Sequence, residues 1–514
     1  MKMRVISVVF CVVAFALSLM LMFSIYNAQN QNDVSDQPDV SDNPPVEEDR
    51  REPVSEATVQ KLSSDVVDFI NTLAYENDKS YAEKMNNYVE QLENSAEYLG
   101  SEMADEEGKA YLLKISSIFR SLLDAPYMNT DEFSAFAGTY LKEIETTKPR
   151  TEAGQSLYPQ IDTDVNGDFT LAMLSINNSK KSEDVFTVSV GGSVILGDVV
   201  GASGNTFAAE FEKHGSNAFP LGGLSAVFAS DDYSVITLRN PLTEETASTD
   251  TRTSVKGKPQ YAQMLSVAGI NAVNLASDHI SDYGTKGIAD TRYALTEAGV
   301  GFAISGEICD YNSKIGTIAL ITYNLNSAAV SNNAASVNNV VKDEIESARS
   351  RGAKLVITMF NWKGNENKEI SDYQVSVGRT AVDNGADMVI GTYPQYIQAV
   401  DIYKEKSIIY STNDLVVGKT DLLGSEDVEN PYGFIFSQDF TVENGSVKPA
   451  DITFYPVLSS SDSTSNNYMP KLVFDGTADD IVDTIEKACV CTRYGIAKAT
   501  NPAKQEIKYI KIVK

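Results

Sequence analysis

The chain has 514 residues, too many for one ordinary domain, and its 42% apolar content is ample for packed cores. Its formal net charge of -29 argues against nucleic acid as a partner, because phosphate recognition needs clustered Lys and Arg and no basic stripe is present. Two folded units plus tails are expected.

The N-terminus reads MKMR and then VISVVFCVVAFALSLMLMFSIY, an uncharged apolar run from Val5 to Tyr26 that is long enough to cross a bilayer as a helix. Lys2 and Arg4 precede it and an acidic segment follows, so the positive-inside rule places the bulk of the chain outside the cytoplasm. Residues 1–26 are expected to form an uncleaved signal anchor in the cell membrane. The alternative, a cleaved secretory signal, is disfavoured by the length of the apolar run and by the bulky Tyr26 at the minus-three position from Ala28. Residues 27–57 hold almost no large apolar side chain and read as a disordered acidic linker.

Helical spacing then takes over, predicting a small all-α bundle at 58–147. The four stripes run through Val59, Leu62, Val66, Phe69, Ile70 and Leu73; through Tyr81, Met85, Tyr88, Val89 and Leu92; through Tyr111, Leu112, Ile115, Ile118, Phe119 and Leu122; and through Phe133, Phe136, Tyr140, Leu141 and Ile144. This unit has no titratable cluster and reads as a spacer or docking module. Residues 148–184 read as a polar linker.

From 185 to 475 the rhythm becomes strand, helix, strand. Apolar runs VFTVSV, YSVITL, NAVNL, TIALITY, KLVITMF, DMVIG and SIIYS alternate with helix-length segments that end at Gly299 and Gly385, which predicts a layered α/β domain. GFIFSQDFTVENGSVKPADITFYPV predicts two antiparallel strands turning at Asn444 and Gly445. Residues 476–514 are a final helix, about 478–489, and a basic tail. Cys11 lies in the apolar run, leaving Cys309, Cys489 and Cys491, an odd set without metal or redox spacing, so the fold is not expected to rest on disulfides.

In an α/β domain ligands gather beyond the carboxyl ends of the strands, which makes the residues after each apolar run one candidate set. These are Ser193, Arg239 in TLRNPLT, Asp278 and His279 in NLASDH, Asn361 and Trp362 in TMFNWKG, Thr392, Tyr393 and Gln395 in IGTYPQY, and Asn413 and Asp414 in YSTND.

Over residues 185 to 460 the order and spacing of these segments resemble the CapA family of poly-γ-glutamate and capsule synthesis proteins, whose domain is similar to a calcineurin-like metallophosphoesterase. TLRNPLT resembles NLE-x-P-L-T, NLASDHISDYGTKGIADT resembles NLANNH-x-x-DYG-x-x-G-x-x-DT, MFNWKG resembles HWG, GADMVIGTYPQYIQ resembles GAD-x-VIGHHPH-x-x-Q, and YSTNDLVV resembles YSLGNFVF. The resemblance implies a two-metal site, and the departures fall on its ligands. Ser193 stands where the family has the aspartate of its opening glycine-aspartate. Arg239 replaces the glutamate of NLE, Asp278 an asparagine, Asn361 a histidine, and Thr392, Tyr393 and Gln395 the histidines of HHPH. Only Asp278 and His279 of this set remain strong ligands.

A two-metal phosphoesterase needs several carboxylates and imidazoles, and this chain has two histidines, His214 and His279. Serine, threonine, asparagine and glutamine are poor ligands for zinc-like ions, and an arginine among them opposes a cation. The remnant pocket is therefore expected to hold no metal and no cofactor. Arg239 is expected to grip a small anion or the carboxylate of an anionic polymer. His279 and Asp282 have a competing structural reading as hydrogen-bonding residues of a tight loop helped by Gly284. Asp198 reads as a loop residue, His214 as a solvated one, and Trp362 as packed at a strand end.

The function expected is that of an extracytoplasmic, membrane-anchored binding or scaffolding protein in capsule, poly-γ-glutamate or other cell-envelope polymer biosynthesis, alongside other envelope-biosynthesis proteins. Two alternatives stand beside it: an active hydrolase of the family acting on such a polymer, and a docking protein working through its helical bundle.

Overall fold

The computed structural model describes residues 54–488 apart from 77, 150–156, 251–252, 327–333, 363–368, 419–430, 444–445 and 463–464, together with 495–499 and 509–513. The expected anchor, nearly all of the expected acidic linker and the turn at Asn444 and Gly445 lie outside the described residues. No helix among the described residues is long and apolar enough to cross a membrane.

The four predicted stripes become α1 (Glu56–Tyr75), α2 (Tyr81–Ser101), α3 (Glu106–Asp124) and α4 (Thr130–Thr147). Ser55 and Asn129 begin α1 and α4 with reciprocal capping boxes, which satisfy backbone N–H groups that have no partner within the helix. The expected polar linker differs from its reading: it contains α5 (Asp168–Asn178), in which Phe169 to Asn178 are all buried. A helix enclosed on every side needs no polar face, so DFTLAMLSINN carries no amphipathic stripe to betray it. α5 joins α1 to the rest of the molecule, its Asn178 amide donating to the Ala226 carbonyl at 3.1 Å. One continuous apolar core runs from Val66 and Leu73 through Met173 to Phe228 and Ile236, so the helices form a layer of the α/β body.

In that body β1 (Val185–Val194), β2 (Tyr233–Leu238), β3 (Ala272–Asn274) and β4 (Gly301–Ala303) run parallel and side by side. The chain then enters a second sheet through β5 (Ile308–Ser313) and β6 (Gly316–Asn324), continues with the parallel strands β7 (Leu355–Asn361) and β8 (Met388–Thr392), and closes it with β9 (Val400–Tyr403) and β10 (Lys406–Ile409). It returns to the first sheet through β11 (Asp414–Val416), which lies parallel to β1, and through the antiparallel pair β12 (Tyr432–Glu443) and β13 (Ser446–Leu458).

Alternation along the strands decides the layering. Val188, Val190 and Val235 face Leu320, Ile357 and Ile390 of the other sheet. Val194, Ile236 and Leu238 face the helical layer. The outer face of the second sheet, with Val356, Phe360 and Val389, is covered by α6 (Ala334–Ser350) and α7 (Asp372–Asp383). The result is a helix, sheet, sheet, helix stack, the layered α/β domain expected from the sequence. Gly299 and Gly385 end their helices in the left-handed region, at φ 73° and 108°.

Candidate functional site

Parallel strands deliver their carboxyl ends to one edge of the stack. Arg239 follows β2, Asp278 follows β3 by four residues, and Asp414 opens β11 directly opposite Ser193 of β1 in the strand register. Arg239 is only 5% exposed, so its charge needs partners inside the protein. It finds two. Its Nε and Nη2 donate to the two oxygens of Asp278 at 3.0 and 2.7 Å, and its Nη1 donates to Asp414 Oδ2 at 3.0 Å. Gln395 Nε2 reaches the same Asp414 oxygen at 3.4 Å, and the Ser193 hydroxyl also donates to this carboxylate.

Burial works against the charge on Arg239, but Asp414 and Asp278 hold the guanidinium protonated well beyond its usual range. The two carboxylates move in opposite directions. Burial pushes Asp278 up, yet the charge and paired hydrogen bonds of Arg239 outweigh it and hold the group below the usual carboxylate range. Asp414 is raised, because its deeper burial outweighs its single contact with Arg239 and the nearby Asp278 charge adds to the cost of ionising it.

Beside this cluster His279 Nδ1 donates to Asp282 Oδ2 at 2.8 Å, and the same oxygen accepts from the Val255 backbone N–H at 2.8 Å. His279 Nε2 lies 3.6 Å from Asp278 Oδ2. Gly284 follows at φ 59°, a left-handed conformation that glycine adopts without strain. The loop reading of His279, Asp282 and Gly284 describes this geometry.

Asn361 and Thr392 belong to a neighbouring set. They are register partners at the ends of β7 and β8. Asn361 Nδ2 donates to Asn324 Oδ1 at 3.3 Å, and Asn324 Nδ2 donates to the Ser277 carbonyl at 2.7 Å, tying the two sheets together one residue before Asp278. The Thr392 hydroxyl turns back to the Phe360 carbonyl at 3.4 Å. Tyr393 leaves β8 at φ 91°, and Asn413 enters β11 at φ 68° with its amide donating to the Tyr432 carbonyl at 2.6 Å.

The structure thus brings Ser193, Arg239, Asp278, His279 and Gln395 together, with Asn361, Thr392 and Tyr393 on the facing strand ends. The two-point edge of Arg239, expected to grip an anion, lies on Asp278 and its remaining side on Asp414. Asp198 accepts from the backbone of Phe207 and Ala208 at the start of the helix Phe207–His214, and His214 at that helix's end stacks on Phe219 with centroids 5.1 Å apart. Trp362 is fully buried between Phe360 and Tyr410.

Sequence reasoning placed Asp414 at a strand end but left it out of the pocket, and it overlooked Asn324. A buried arginine demands carboxylates, but only the folded structure shows that Arg239 is buried and that Asp414 meets the demand. Among the described residues no three His, Cys, Asp or Glu side chains converge in a way that holds a metal ion.

Residues 187–419 match the family model described as bacterial capsule synthesis protein PGA_cap. Over 184 residues, 32% of this chain and 45% of the relative, the sequence is 28% identical to the capsule biosynthesis protein CapA of Bacillus anthracis. Over 251 residues, 46% of this chain and 64% of the relative, it is 22% identical to the PGA biosynthesis protein CapA of Bacillus subtilis strain 168. The chain spans less than two thirds of the length of either relative. Together with the motif series at the strand ends, these matches make residues 187–419 of this chain similar to the CapA family of capsule synthesis proteins.

Proposed function

We propose that this protein takes part in the biosynthesis of a capsule, poly-γ-glutamate or similar envelope polymer, as an exported, membrane-anchored member whose α/β domain binds or scaffolds and does not run two-metal hydrolysis. The observation that carries this reading is the buried guanidinium of Arg239 held between Asp278 and Asp414.

A pair of divalent ions about 3.5–4 Å apart needs several anionic or imidazole donors. Here the strand ends offer a serine, a threonine, an asparagine and a glutamine, with an arginine where a cation would have to sit. Coulomb repulsion at short range in a buried setting makes that arrangement unfit for the metal pair. The relatives named for capsule and PGA biosynthesis support the process, and the apolar run of residues 5–26 behind Lys2 and Arg4 supports export. The partner is an anionic polymer or another envelope-biosynthesis protein. With Arg239 internally paired, such a partner is held by other surfaces of the domain.

The test uses a strain that lacks the gene and a purified full-length chain. Surface polymer should fall in the deletion strain and return when the native gene is restored. The purified protein should cleave neither the polymer nor a generic phosphodiester. Hydrolysis that a chelator abolishes, or unchanged surface polymer in the deletion strain, overturns the reading.

A further inference from the structure

We propose that the Arg239 guanidinium is the resident cation of this site, and that its removal uncovers a divalent-cation site built from Asp278, Asp414 and His279. The inference rests on the reading above, in which the native domain works without a metal pair, and adds what takes the ion's place.

A carboxylate buried at the end of a sheet must be neutralised by protonation, by a metal or by a cationic side chain. Asp278 and Asp414 are neutralised by one side chain from the strand end between theirs: β2 is the neighbour of β1, beside which Asp414 lies, and of β3, which leads to Asp278. Their nearest oxygens are 2.7 and 3.0 Å from two nitrogens of the same planar group. That is the contact distance of a charge-assisted hydrogen bond, longer than the roughly 2.0–2.2 Å of a metal–oxygen bond. The guanidinium is thus a large cation that keeps the two carboxylates apart, which is the geometric reason why no metal-holding trio converges among the described residues.

A third donor is already close. His279 has its Nδ1 fixed by Asp282, and its Nε2 lies 3.6 Å from Asp278 Oδ2, a spacing compatible with two ligands of one ion. Remove the guanidinium, and two carboxylates lose their counter-charge with an imidazole beside one of them, a mixed oxygen and nitrogen set suited to manganese or zinc.

The full-length Arg239→Gln variant tests this with Mn2+ alone and Zn2+ alone, read by calorimetry and by thermal melting. The native chain should show no saturable binding and no shift in Tm. Arg239→Gln should melt earlier without metal, bind about one ion per chain at least about tenfold more tightly than the native protein, and recover melting temperature as the ion saturates it. The added change Asp278→Asn should abolish that gain. If Arg239→Gln does not fold by itself, refolding from denaturant becomes the readout: recovery of native Trp362 fluorescence only with metal supports the proposal, and failure with both ions overturns it. A folded Arg239→Gln without saturable binding, or a native chain that binds as tightly as the variant, also overturns it. Chelator-sensitive hydrolysis by the native protein sinks the functional reading, whereas a metal-blind Arg239→Gln variant sinks only this one.

Discussion

Asp278 and Asp414 grip one guanidinium from two sides, Asp278 through both of its oxygens and Asp414 through one. The unequal grip predicts unequal mutants. Asp278→Asn strips Arg239 of its two-point partner and should cost about 3 kcal/mol, the low end for breaking a buried ion pair, because the Asp278 side chain is still 20% exposed. Asp414→Asn retains an acceptor for Nη1 and removes a carboxylate that burial already penalises, so its cost should be about 1 kcal/mol. Denaturant midpoints of the two variants decide the ranking, and an Asp414→Asn variant weaker than Asp278→Asn contradicts the assigned geometry.

The same pair predicts two pH windows. The folded pKa of Asp278 is depressed, so its stabilisation is present above the ordinary carboxylate range and is lost as pH falls through the depressed value. Asp414 is raised, so its ionised form costs stability at neutral pH and acidification relieves that cost first. The native protein's lead over Asp414→Asn should therefore widen in weak acid, while its lead over Asp278→Asn persists until pH falls below the ordinary carboxylate range and then shrinks. Midpoints measured across the acid range would show the opposite signs, and closure of both gaps together would refute them.

Local rules made the strands legible. YSVITL and KLVITMF carry apolar residues on both faces because each lies in a sheet covered on both sides, VFTVSV alternates apolar with Thr187 and Ser189, and glycines 299 and 385 punctuate their helices. α5 was illegible for the same physical reason, since complete burial erases the polar face that marks a surface helix. The site was half legible. Motif order located Arg239 and Asp278, but no local signal shows that a guanidinium 175 residues away would claim Asp414. Nor does any show that Lys181 would sit between Asp231 and Asp439, which converge only once β1 and β12 have paired.

Gly391 on β8 is a packing constraint on the facing strand ends. A Cβ there would stand 1.9 Å from Trp362 Nε1 and 2.1 Å from the Tyr410 carbonyl, the two atoms joined by a 2.9 Å hydrogen bond. Both are held by buried surroundings and neither yields cheaply. Gly391→Ala should cost about 3 kcal/mol and shift Trp362 emission to the red. Trp362 is the only tryptophan in the chain, so the fluorescence reports this position alone.

Deleting residues 58–147 tests the unity of the helical layer. α1 covers α5 and continues the core that includes Phe228 and Ile236. Without it a large apolar face is exposed, and the truncated protein should aggregate at concentrations where the intact chain is monodisperse. A soluble, folded truncation in size-exclusion chromatography would instead make the helices a separable docking module.

Tyr393 carries the last prediction. It stands at φ 91°, a conformation that costs a side chain with a Cβ roughly 1–2 kcal/mol and that glycine adopts freely. The strain lies at the turn that brings Gln395 back toward Asp414, so the fold sustains it where the strand end must bend into the site. Tyr393→Gly removes the strain but loosens the unfolded chain and gives up the packing of a partly buried ring. These terms oppose one another, leaving a net gain of about 0.5 kcal/mol if strain dominates. The readout is a pair of measurements: the denaturant midpoint of Tyr393→Gly, which should rise slightly, and that of Tyr393→Ala, which keeps the strain, loses the ring and should fall by about 1 kcal/mol or more. Equal midpoints for the two variants would mean that the backbone at Tyr393 is not strained.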